Sequence, residues 1–165
     1  MDRIELEIQK SLEAIPQKAK TGGWKGNAQW TSAVKQGLVD VGQANGYRAA
    51  ASVCNAYYGS EWLYDLVWYQ YDDKTENTTD VPFVMECEWG NKRDIIADFE
   101  RLLVSRAKYR IMIFQSGTDN DIKKIIHNMK IGIHKFFSTS IGDRYFWAGW
   151  ATDHWVFANY VVDSK

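Results

Sequence analysis

Three carboxylates interrupt apolar and aromatic runs: Asp65 within Glu61-Trp-Leu-Tyr-Asp-Leu-Val-Trp-Tyr-Gln-Tyr71, and Glu86 and Glu88 within Val81-Pro-Phe-Val-Met-Glu-Cys-Glu-Trp89. Glu86 and Glu88 are two apart, so on a strand they share a face with Cα atoms about 6–7 Å apart. Consecutive strands usually pair, which sets Asp65 across from Glu86 or beside it. Like charges gathered in a partly buried place repel and lose hydration, so one must be protonated or a cation must compensate. Mg²⁺ (or Mn²⁺) suits such a place, because it takes hard oxygen ligands and needs only one or two carboxylates plus water and phosphate. Asp65, Glu86 and Glu88 are therefore the expected metal ligands. Glu61, four residues before Asp65 and on the same strand parity, is a rim carboxylate or an outlying ligand.

The elements that must carry these acids follow from periodicity. Ile4, Ile8, Leu12 and Ile15 recur at helical spacing, and Pro16 is expected to end that helix, before a loop with Gly22, Gly23 and Gly26. A second helix is expected from Asn27 to Ala44, with Val34, Leu38 and Val41 inward and Asn45-Gly46 as its stop. Strands follow at Tyr47–Cys54, across Glu61–Tyr71, whose two apolar faces require cover on both sides, and at Val81–Trp89. In the last of these Val81, Phe83, Met85, Cys87 and Trp89 face one way, and Val84, Glu86 and Glu88 the other. A helix over Asp94–Lys108 with Ile95, Ile96, Phe99, Leu102, Leu103 and Arg106 inward leads to a buried strand, Arg110–Gln115. Another helix carries Ile122, Ile125, Ile126 and Met129, and Tyr145–Trp150 with His154–Val162 reads as a terminal hairpin. The expected fold is α/β, with a mixed sheet flanked by helices and a C-terminal β-hairpin, in a single domain over residues 1–165.

Composition bounds the function. The chain has 165 residues, 45 % hydrophobic and 25 % charged, with a formal charge of −1, which excludes global disorder. Two cysteines, Cys54 and Cys87, cannot build a disulfide framework and read as apolar packing residues. No apolar run approaches the ~18 residues of a membrane span and no signal peptide precedes Met1-Asp2-Arg3, so no membrane partner and a cytoplasmic location are expected. The near-neutral total hides a division: residues 61–100 carry a net −8 and residues 101–135 a net +6. Two solvated helix faces and an acidic loop would explain it. A metal-holding site beside a phosphate-binding surface would also, with Arg101, Lys108, Lys123 and Lys124 as candidate nucleic-acid contacts. His127, His134 and His154 lack metal-ligand spacing, and Ser116-Gly117-Thr118-Asp119 is helix-capping chemistry rather than a phosphate loop. Trp147, Trp150, Trp155 and Tyr160 of the last hairpin are core residues first, and stacking or dimer contacts where exposed.

Asp65, a loop, Glu86-x-Glu88 at a strand end, a helix, and the strand Arg110–Gln115 together resemble the core of the PD-(D/E)XK nuclease superfamily, the restriction-endonuclease-like fold. The similarity covers residues 27–115. It implies that Asp65 and Glu86 are metal ligands and that Glu88 stands where the family usually has Lys. Glu88 would then be a further ligand or the proton acceptor. The missing cation would come from Arg101 or Lys108 on the following helix, or from Lys92 in the loop, with Lys108 taken as catalytic. The implied activity is Mg²⁺-dependent (or Mn²⁺-dependent) hydrolysis of phosphodiester bonds, with DNA the expected substrate. Cutting both strands needs two sites, which a homodimer would supply. The replaced Lys also suits an inactive member that binds nucleic acid or protein without cutting.

Overall fold

The computed structural model describes residues 1–164. Its elements run α1 (Arg3–Glu13), α2 (Ile15–Gly22), α3 (Asn27–Ala44), β1 (Arg48–Ala51), β2 (Leu66–Asp72), β3 (Asn77–Glu88), α4 (Lys92–Leu103), β4 (Tyr109–Gln115), α5 (Asp119–Lys135), β5 (Arg144–Trp150) and β6 (Trp155–Val161). The six strands form one mixed sheet in the order β1-β2-β3-β4-β5-β6, flanked by helices. The chain divides into two compact units, residues 1–84 and 85–165.

In the first unit, Asp2 caps α1: its side chain accepts from the Glu5 amide while Glu5 accepts from the Asp2 amide, a reciprocal capping box. Pro16 does not end the helical region. It sits in the first turn of α2, where a residue without an N–H leaves no intrahelical bond unmade. α3 keeps the expected bounds. It packs on α1, β1 and β2 and buries Val34, Leu38 and Val39, together with Lys35. Gly42 lets α3 approach the sheet, since a Cβ there would strike the Trp68 indole. Trp68 donates to the Leu38 carbonyl at 3.0 Å and stacks between Tyr47 and Phe83, with ring centroids 5.8 and 3.9 Å away. β1 and β2 pair antiparallel, Arg48 opposite Tyr69 and Ala51 opposite Leu66. β2 and β3 are neighbours joined by only four residues, a link that antiparallel strands can make and parallel ones cannot.

In the second unit, β4 and β5 are parallel, Tyr109 opposite Arg144 and Gln115 opposite Trp150, with α5 as the crossover that parallel neighbours require. β5 and β6 form the expected terminal hairpin, Trp150 opposite Trp155. Trp147 is fully buried, whereas Trp150 and Trp155 meet edge to face at 5.0 Å. Asn91 caps α4 by accepting from the Arg93 and Asp94 amides, and Thr118 caps α5 by accepting from Asp121. α4 stops at Leu103 rather than Lys108. Arg110, 5 % exposed, holds Ser105 out of the helix by donating to its hydroxyl and carbonyl at 3.1 and 3.0 Å. Lys108 is accordingly in the link to β4, exposed, with its ammonium 5.0 Å from the Tyr109 ring centroid, and Arg106 is exposed rather than inward.

Candidate functional site

Asp65 does not lie within a strand. β2 begins one residue later, and the acid belongs to the loop that joins β1 to β2. The reason is a long-range pairing. Lys35, on the buried face of α3 and only 2 % exposed, extends its ammonium to Glu61 Oε1 at 2.6 Å, Asp65 Oδ1 at 3.3 Å and Ser52 Oγ at 3.4 Å. Ser52 in turn donates to Glu61 Oε1 at 2.5 Å. The carboxylates themselves open to solvent, Glu61 at 44 % and Asp65 at 24 % exposure. Burial alone would push the Lys35 ammonium down. Its bond to Glu61 and the charge of Asp65 outweigh that and hold it above its usual value, so it is charged.

Two left-handed residues bracket this cluster. Val53, directly after Ser52, has φ 56°, and Leu63, midway between Glu61 and Asp65, has φ 55°. Neither is glycine, and both side chains are exposed, so no burial rewards the conformation. Such outliers persist where the surroundings over-determine them, and they collect at functional sites.

In the second unit Glu86 lies near the C-terminal end of β3 with its side chain 1 % exposed. Arg101 of α4 answers it, with Nε 3.1 Å from Glu86 Oε1 and Nη2 donating to Oε2 at 3.2 Å and to Asp98 at 2.7 Å. Arg101 is therefore committed to an internal ion pair. Glu88 ends β3, half-buried, and accepts from the Gly90 amide. A side chain on Gly90 would meet the carboxylates of both Glu88 and Asp94, so glycine keeps these two acids on one turn. Of the remaining cations in the basic stretch, Lys123 and Lys124 are exposed on α5, whereas Arg110 is buried and paired with Asp143 at 3.1 Å. The phenol of Tyr160 lies 2.9 Å from His134 Nε2, and His154 bridges Asp119 and Asp153 at 3.0 and 2.8 Å.

Sequence reasoning asked for a cation to compensate the buried acids. The chain supplies two of its own, Lys35 beside Asp65 and Arg101 beside Glu86. Lys35 was missed, although a lysine adjacent to Val34 and four residues before Val39 in an amphipathic helix is a readable signal. Among the described residues no group of three or more His, Cys, Asp or Glu side chains is gathered closely enough to hold a metal ion. Asp65 and Glu88 offer carboxylate oxygens that solvent can reach, whereas Glu86 is 1 % exposed and already paired with Arg101. Among the described residues no helix is long and apolar enough to cross a membrane. No protein-family model, curated protein or solved structure matches the chain.

Proposed function

We propose that this chain is a Mg²⁺-dependent nuclease, with DNA as its substrate. The observation that carries the reading is the buried ammonium of Lys35, fixed beneath two solvent-facing carboxylates between two strained residues. A buried ion pair is weak evidence for stability, since apolar residues of similar size would serve as well or better. Its presence on the apolar face of α3 points to a chemical use. The element order α3-β1-β2-β3-α4-β4 is that of the family the sequence resembles.

The resemblance, rather than a gathered group of side chains, is what names Asp65, Glu86 and Glu88 as the carboxylates that would hold the metal. The ion would supply a bound water of lowered pKa and charge to neutralise phosphate oxygens. Lys35 fixes the position of Asp65 and Glu61 and offsets their mutual repulsion. Lys123 and Lys124 bind backbone phosphate, and Lys108, exposed in the link to β4, serves as the further cation of this reading.

Incubation with plasmid, linear and single-stranded DNA in Mg²⁺ or Mn²⁺ tests the proposal. Cleavage that Asp65→Asn and Glu86→Gln each abolish is expected. Cleavage that survives both overturns the site, and no cleavage of any substrate overturns the enzyme. A second reading, a non-catalytic binding protein on the same scaffold, is favoured by the internal cations that already answer Asp65 and Glu86. Calorimetry separates the two: Mg²⁺ binding lost in Asp65→Ala supports the nuclease, and no binding at millimolar metal supports the second.

A further inference from the structure

A groove of about 460 Å³ in the first unit is walled by aromatic rings from two places: Tyr57, Tyr58 and Trp62 of the β1–β2 loop, and Tyr69 and Tyr71 of β2. Arg48 of β1 lies in it. Its guanidinium is 4.4 Å from the Tyr57 ring centroid and 4.8 Å from that of Tyr71, and its Nη2 contacts both oxygens of Asp73 at 2.8 Å. Trp62 packs on Tyr69 at 4.6 Å and Tyr58 on Trp62 at 5.7 Å. Tyr57 is 64 % and Tyr58 48 % exposed, so the outer rings offer π-faces to solvent that no core packing needs.

Two kinds of guest suit stacked rings: a cation, drawn to the ring quadrupole, or a flat base. The space between Tyr57 and Tyr71 is already filled by Arg48, itself paired with Asp73, so an outside cation finds no ring pair there to enter. The lining also carries the carboxylate of Glu76, which turns phosphate away and can accept from the N–H donors of an uncharged group. We infer that this groove is a stacking site for an unpaired nucleobase of a single-stranded nucleic acid, the base entering between the tyrosine and tryptophan faces while the backbone stays outside. The inference rests on the reading of the chain as a nucleic-acid protein and names the state of the strand it takes.

Fluorescence anisotropy with a short labelled strand, in EDTA so that nothing is cut, tests it. Single-stranded DNA is expected to bind more tightly than the same sequence as a blunt duplex or than an abasic strand of equal length. Trp62→Ala should weaken single-strand binding about tenfold and leave duplex binding unchanged. Because Trp62 rests on buried Tyr69, the exposed Tyr58→Ala is a second variant that leaves the core intact, with a loss in the same direction. Equal affinity for the three ligands, or unchanged binding in both variants, overturns the site. Displacement of the strand by tetramethylammonium at concentrations where sodium has no effect also overturns it, in favour of a cation cage. Cleavage without single-strand preference would refute the groove and spare the nuclease; single-strand preference without cleavage would do the reverse.

Discussion

Lys35 Nζ lies 2.6 Å from Glu61 Oε1, and the two ends of this pair live in different solvents: the lysine side chain is 2 % exposed and the glutamate 44 %. The asymmetry fixes what each deletion costs. Lys35→Met removes the buried charge and leaves carboxylates that water can reach. Glu61→Gln with Asp65→Asn leaves a buried ammonium stripped of both charged partners, the more expensive state. The double variant is therefore expected to lose about 3 kcal/mol or more and Lys35→Met clearly less. Urea midpoints at neutral pH check the order, and the reverse order would mean that Lys35 relaxes to solvent.

Leu63 carries the backbone strain at the same loop, with φ 55° and 89 % of its surface exposed. Glycine adopts that conformation without a Cβ clash, so Leu63→Gly should stabilise the fold by about 0.5–1 kcal/mol despite the entropy glycine adds to the unfolded chain. An increase in the urea midpoint without a change in slope is the expected reading. A loss of stability would show that Leu63 is held by contacts of its side chain rather than against its own preference.

His154 joins the start of α5 to the β5–β6 turn through Asp119 and Asp153. Its hydrogen bond to Asp153 and the charge of Asp119 raise its pKa above the usual histidine value. A raised pKa in the fold gives a contribution that is full below the unfolded value and disappears as pH rises through the folded one. His154→Gln should therefore cost more at pH 5.5–6 than at pH 8.5–9, with the difference falling away above about pH 6.5. Thermal melts of both proteins across that range measure it, and a pH-independent difference would exclude the charged bridge.

Part of this architecture was legible because local chemistry agreed with the fold. α3 has the bounds the sequence announces, because Gly26 precedes it and Asn45-Gly46 follows, with Gly46 at φ 81°. The terminal hairpin and the buried strand β4 were equally plain from their apolar runs. The misplacements share one cause, partners distant in sequence or chemistry that periodicity does not carry. Asp65 reads as mid-strand because Glu61–Tyr71 is uniformly apolar, yet Lys35, thirty residues earlier, draws Glu61 and Asp65 out of the sheet. The helix ending at Leu103 reads as continuing to Lys108 because Arg110, the residue that captures Ser105, belongs to the next strand. Pro16 signals a stop and a start equally well, and only the first turn of α2 decides between them.

Arg101 and Glu86 offer the sharpest test of whether a divalent ion has a place here. The Glu86 side chain is 1 % exposed and that of Arg101 51 %, so Arg101→Met removes charge from the wetter partner and leaves Glu86 charged in the dry one. A loss of about 3 kcal/mol is expected, and Glu86→Gln in the same chain should recover part of it, because neighbouring deletions are not additive. If Glu86 is a metal ligand, Mg²⁺ answers the charge that Arg101 no longer does. A ligand that binds only the folded state stabilises it by about 2.7 kcal/mol at a hundred times its dissociation constant. Saturating Mg²⁺ should then raise the melting temperature of Arg101→Met more than that of the unaltered protein, and should do nothing for the double variant with Glu86→Gln. Equal shifts in all three would place the ion elsewhere, and Glu86 would be a structural partner of α4 alone.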